Sequence, residues 1–158
     1  MDFQRSLHAV FLDISLPPAK TATIWDNGTN SFPASNLSTV AAGVVAILSI
    51  SELQTRDRFV YIESFTTSQC EIVSALEKIT GEKWAIEKTT TEKQFAIAQE
   101  TLQKDYFLGA YYRWIRGGLF SGNDGCHFAK EKFDNELLGL PKENLQDVIE
   151  RILKGENV

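Results

Sequence analysis

The sequence is sparing with the residues that carry most chemistry. Its 158 residues include two histidines, two cysteines and one methionine. Cys70 and Cys126 are too few for a disulfide framework and lack metal-ligand spacing, so a reduced, cytoplasmic protein is expected. No apolar run approaches the roughly 18 residues of a membrane span. The opening MDFQRSLHAVFLDIS has only a short apolar stretch, broken by Asp13, and does not read as a secretory leader. Positive charge is also short. Lys and Arg number 16 against 21 Asp and Glu, a net charge of −5. Phosphate binding wants a basic surface, so a nucleic-acid partner is not expected.

Glycine is present in ten copies but never as G-x-G. A dinucleotide site wants G-x-G-x-x-G between a strand and a helix, so that backbone N–H groups reach the pyrophosphate. The densest cluster here, RGGLFSGNDG at 116–125, follows a helical pattern, and its Asp124 would repel phosphate. It reads as a flexible loop. No Ser-His-Asp elbow, zinc motif or P-loop is present. Cys126-His127 are sequence neighbours, which rarely present a nucleophile to its base. Cys70 is expected to behave as a small hydrophobe, and His8 is given no role. Asp134 and Glu136 read as a turn and helix-start feature. No catalytic, cofactor-binding or metal-ligating residue is assigned.

What is present is ordinary globular composition, 43% hydrophobic and 23% charged, in a length suited to one domain. Residues 1–20 resist assignment. Ala9–Leu16 is apolar enough for a strand, but Pro17 and Pro18 end anything regular. From 21 to 158 the chain reads as a single domain. Thr21–Trp25 is a strand, closed by an Asp26-Asn27-Gly28 turn. Ser35 or Asn36 caps a helix running to about Ser49, with Leu37, Val40, Ala41, Val44, Val45 and Leu48 as one apolar stripe. Phe59–Ile62 is a buried-strand candidate.

Two overlapping capping boxes, Ser68 with Glu71 and Thr66 with Gln69, open a helix that Gly81 stops. Lys83–Lys88 is a short strand. Thr89 and Glu92 form another box, opening a helix through about Gln103. Asp105 caps a further helix that Gly117-Gly118 ends, and residues 118–135 are a loop. Pro141 starts the last helix. Short strands alternating with amphipathic helices give an α/β class, or α+β for the piece in isolation.

One region is unusually aromatic. Tyr106, Phe107, Tyr111, Trp114 and Phe120, with Tyr112, suit either a packed helix face or the wall of a pocket for a small apolar or aromatic molecule. Arg113 and Arg116 are expected to be solvated or salt-bridged.

Three stretches in this order carry a resemblance: TATIWDNGTNSFPASNLSTVAAGVVAIL, RFVYIESFTTSQCEIVSALEKITGEKW and DNELLGLPKENLQDVIERIL. They resemble the C-terminal half of fungal NmrA-like, isoflavone-reductase-like proteins, which are atypical short-chain dehydrogenase/reductases. The resemblance covers about residues 9–154. It implies the C-terminal part of a Rossmann-type fold, without the nucleotide-binding βαβ units that bind NADP(H) in full-length relatives. It also implies a substrate-side region, oxidoreductase activity only in the longer protein, and no cofactor held by this chain. The Asn36–Thr39 segment resembles a junction before a helix that packs on the nucleotide domain. Without that domain, the 36–49 helix would expose its stripe and invite self-association. The alternatives are a stand-alone module for an apolar ligand or a protein partner, and, ranked last, a cofactor-free isomerase or cyclase.

Overall fold

The segment before Thr21, illegible as sequence, is built into the core. In the computed structural model, which describes residues 2–50, 52–104, 106–122 and 133–158, helix α1 (Phe3–His8) is capped by the Asp2 carboxylate. It buries Phe3 and Leu7 completely. The expected strand over Ala9–Leu16 is replaced by tight turns, with Val10 and Asp13 at positive φ. Leu12 and Ile14 are nevertheless fully buried, and Ile14 bridges to Ala22.

Strand β1 (Thr21–Trp25) matches the expectation and ends in a turn where Asp26 and Gly28 have φ of 54° and 70°. Strand β2 (Phe32–Ala34) leads into α2 (Leu37–Ser49). Asn36 is its N-cap, but the Asn36 side chain does not bond the first turn. A short α3 (Glu52–Thr55) follows. The expected strand at Phe59–Ile62 does not form, and Phe59 is exposed; the strand here is β3 (Phe65–Thr67), antiparallel to β2.

Helix α4 (Gln69–Thr80) carries one of its two expected capping boxes. The Glu71 N–H donates to Ser68 Oγ, and Ser68 Oγ donates back to the Glu71 carboxylate. The Thr66–Gln69 box is absent because Thr66 Oγ1 donates to Glu63, and Gln69 is buried against β1. Gly81 closes α4 in the left-handed conformation. Ile72 and Leu76 of α4 are fully buried, each worth about 1.5–3 kcal/mol of transfer free energy.

Strand β4 (Ala85–Thr89) returns parallel to β1, with Thr21 opposite Ala85 and Trp25 opposite Thr89. A parallel pair needs a crossover, and α4 is part of it. The next cap is Thr90, one residue beyond the expected Thr89, and it opens α5 (Thr91–Gln103). Helix α6 (Phe107–Phe120) runs through Gly117-Gly118 instead of ending there. Its expected cap Asp105 lies outside the described residues, as does Cys126-His127. Asn144, not Pro141, opens α7 (Leu145–Leu153), accepting from the N–H groups of Gln146 and Asp147. Among the described residues no helix is long and apolar enough to cross a membrane.

Candidate functional site

The aromatic group is distributed along α6. At its N-terminal end Tyr106 and Phe107 are exposed, and Phe107 stacks on Tyr111 with ring centroids 5.8 Å apart. Tyr111 meets Tyr112, which contacts Phe11 edge-on. Trp114 is half-buried. At the other end Phe120 is buried between Trp25 and Phe32, at 5.7 and 5.8 Å. Phe120 is thus a core residue, while Phe107, Leu108, Tyr111, Tyr112 and Ile115 form one exposed face. Their spacing is that of a single helix side.

Glycine shapes this face. A Cβ on Gly109 would strike the Tyr106 ring, and one on Gly117 would strike Phe95 of α5. The two arginines of α6 turn to the body. Arg113 donates to Gln94. Arg116 pairs with Asp13 at 2.7 Å and donates to the carbonyls of Phe11 and Val10. That leaves the exposed side of α6 rich in rings and tyrosine hydroxyls, and without charge. Such a surface is an exposed apolar patch.

Asp13, which sequence reasoning passed over, links three elements. Its carboxylate takes Arg116 from α6 and, at 2.6 Å, the Trp25 Nε1–H from β1. Burial pushes its carboxyl above the ordinary aspartate range, against the opposing pull of Arg116, the Trp25 hydrogen bond and Arg113.

A second surface lies on α2. Thr39 and Gly43 face inward, and a Cβ on Gly43 would meet Ile62. The stripe of Leu37, Val40, Val44, Val45 and Leu48 is exposed, and the helix carries no charged residue. Its N-terminus is tied by a polar knot. Thr39 Oγ1 donates to Glu143 Oε1 at 2.7 Å, Asn36 Nδ2 donates to Glu143 Oε2 at 3.0 Å, and Ser64 Oγ donates to Thr39 Oγ1 at 2.7 Å. Burial opposes the charge on Glu143. The hydrogen bonds from Thr39, Ser64 and Asn36, with the charge of Arg151, outweigh it and hold the carboxyl below the usual glutamate range.

Asp134 and Glu136 lie in a run of turns as expected but start no helix; the Asp134 carboxylate reaches far along the chain, accepting from Arg58 at 2.9 Å and from the Tyr61 N–H at 3.0 Å. Cys70 departs from expectation: it is exposed, and its Sγ–H donates to the Asn27 carbonyl. The described part of the 116–125 cluster closes α6 at its carbonyl end, where the dipole disfavours phosphate. That end of a helix offers carbonyls rather than N–H groups to an anion. Among the described residues, no group of three His, Cys, Asp or Glu comes close enough to hold a metal.

Comparison with known proteins gives this geometry a setting. Oxidoreductase aprR of Aspergillus flavus is 35% identical over 136 residues, 85% of this chain and 45% of that protein. Oxidoreductase poxI of Penicillium oxalicum is 27% identical over 136 residues, 85% of this chain and 43% of its own length. The chain spans less than half the length of these curated relatives. Among solved structures, an NADPH-dependent quinone oxidoreductase from Escherichia coli superposes at a TM-score of 0.52 with 13% identity. It covers 96% of this chain and 52% of its own. That likeness shows the fold alone, an α/β arrangement of the Rossmann-like kind. No protein-family model matches the chain.

Proposed function

We propose that the chain is NmrA-like, of the short-chain dehydrogenase/reductase type, and forms the substrate side of an NAD(P)H-dependent oxidoreductase acting on small aromatic or conjugated molecules. The observation that carries this reading is the coexistence of two uncovered surfaces. One is the charge-free stripe of α2, which suits packing against a nucleotide-binding part. The other is the ring-lined face of α6, which suits the flat body of a substrate. Hydride chemistry would come from the nicotinamide. The residues of this chain would orient the acceptor and exclude water from it.

The test has two arms. NADPH is titrated calorimetrically into the chain, and saturable micromolar binding overturns the assignment of the nucleotide site elsewhere. The second arm titrates 2-naphthol, read by tryptophan fluorescence, against the wild type and the double variant Phe107→Ala/Tyr111→Ala. Loss of most of the affinity in the variant is expected. Unchanged affinity removes α6 from the substrate site.

The same α2 stripe favours a second reading, self-association, because two uncharged helices can meet without repulsion.

A further inference from the structure

On the face of the β1–β4 pair that packs on α4, a cavity of about 290 Å³ opens. It is separate from the α6 surface and owes nothing to the oxidoreductase reading. Its apolar lining is Ile24 of β1, Val73 of α4 and the half-exposed Ile86 of β4. Side chains two apart on a strand share a face, so Ile86 and Lys88 both look into it, and Lys88 stands opposite Ile24 in the parallel register.

The polar lining is unequal in its commitments. The Glu77 carboxylate is paired, with one oxygen on Lys83 Nζ at 2.6 Å and the other on the Trp84 N–H at 3.0 Å. These bonds hold its carboxyl below the usual glutamate range, and the lysine pairs its charge. Asn27 uses its carbonyl oxygen on the Thr29 N–H, which leaves its amide N–H groups to donate. The Lys88 ammonium has no hydrogen-bond or ion-pair partner among the described residues. The cavity lining therefore combines three apolar side chains with an uncommitted ammonium and an amide whose N–H groups are uncommitted. Cys70 and Ser74 complete the lining, and the volume lies at the small end of ligand sites.

We infer that this cavity binds a small amphipathic carboxylate, its alkyl or aryl body on Ile24, Val73 and Ile86 and its carboxylate on Lys88 and Asn27. Gly28 helps shape the rim. A Cβ there would lie 2.5 Å from Ile24 Cγ2 and 2.7 Å from Cys70 Sγ, so the turn can close against the cavity only as glycine.

Octanoate is the probe, with octanol as its uncharged counterpart, and backbone amide chemical shifts of the whole chain are the readout. Saturable octanoate binding is expected at about 1 mM, with the largest shifts at Ile24, Val73, Ile86 and Lys88. Lys88→Met keeps the side-chain length and removes the charge. It should weaken octanoate about tenfold and leave octanol unchanged. Ile86→Asp, at a half-exposed position, should abolish both. The inference is overturned if no shift saturates below about 10 mM. It is equally overturned if the shifts fall on α2 or α6, or if Lys88→Met binds octanoate as the wild type does.

Discussion

Asp13 and Arg116 meet at 2.7 Å and close the N-terminal segment onto α6. The guanidinium also holds the carbonyls of Phe11 and Val10 and lies 5.7 Å from the centre of the Phe11 ring. Arg116→Met removes all of these at once and leaves a partly buried carboxylate unpaired. A loss of about 2–4 kcal/mol is expected from urea unfolding. Arg116→Lys, without the planar fork, should recover only part of it.

The same pair sets a pH dependence. The folded Asp13 carboxyl titrates above its ordinary value of 3.8 because burial disfavours its charge. Just above pH 3.8 the folded chain therefore holds more of this proton than the unfolded chain. Stability from this group is greatest at low pH and falls as pH rises through the folded value. The stability difference between wild type and Asp13→Asn should shrink in the wild type's disfavour as pH rises from about 3.8. A difference that is flat or grows would contradict the environment described.

Glu143 runs the other way. Its carboxyl is held below the ordinary 4.5, so its contribution is present above that pH and is lost as pH falls through the folded value. Glu143→Ala leaves Asn36 Nδ2 and Thr39 Oγ1, both on buried residues, without their acceptor. A cost of about 2–4 kcal/mol is expected at neutral pH. Glu143→Gln keeps one acceptor and should cost less. Thermal melts at pH 4 and 7 set the wild type apart from both variants, because only the wild type should lose stability through this group on acidification.

Neither Asp13 nor Glu143 could be found from the sequence, and the reason is range. The signals that were legible are local. Ser68 with Glu71 and the Gly81 stop bracket α4 within one stretch, and Thr21–Trp25 announces itself by alternation and its turn. Phe59–Ile62 has the composition of a buried strand. Backbone in and beside the segment is instead claimed by side chains far along the chain: Tyr61 N–H by Asp134, and Glu63 N–H by Asn135. With those partners the segment needs no strand beside it. The α6 aromatics were visible as a group, but their division into an outer face and a core anchor depends on Trp25 and Phe32, which only the fold brings to Phe120.

Two glycines test opposite backbone rules. Gly81 has φ of 71° and nothing within 4 Å of a built Cβ, so Gly81→Ala meets only backbone strain and should cost about 1 kcal/mol. Gly118 also has open space around it but lies inside α6. Gly118→Ala should therefore gain roughly 0.5–1 kcal/mol from helix propensity. Denaturant midpoints decide both. A neutral Gly118→Ala would mean that α6 ends where the glycine pair first suggested.

The α2 stripe makes the last prediction. Thirteen residues of helix span about 20 Å, and a stable protein interface buries roughly 1,200–2,000 Å². One uncharged helix is smaller than that, so copies of this chain should associate weakly through it rather than form a tight dimer. Light scattering should show mass rising with concentration. Val44→Glu and Val45→Glu place charge on exposed positions, and each should hold the mass at that of the monomer while changing unfolding stability by no more than about 0.5 kcal/mol. Association that persists in both variants would move the contact to the aromatic face of α6. The same experiment repeated with Phe107→Ala would then be the decisive one.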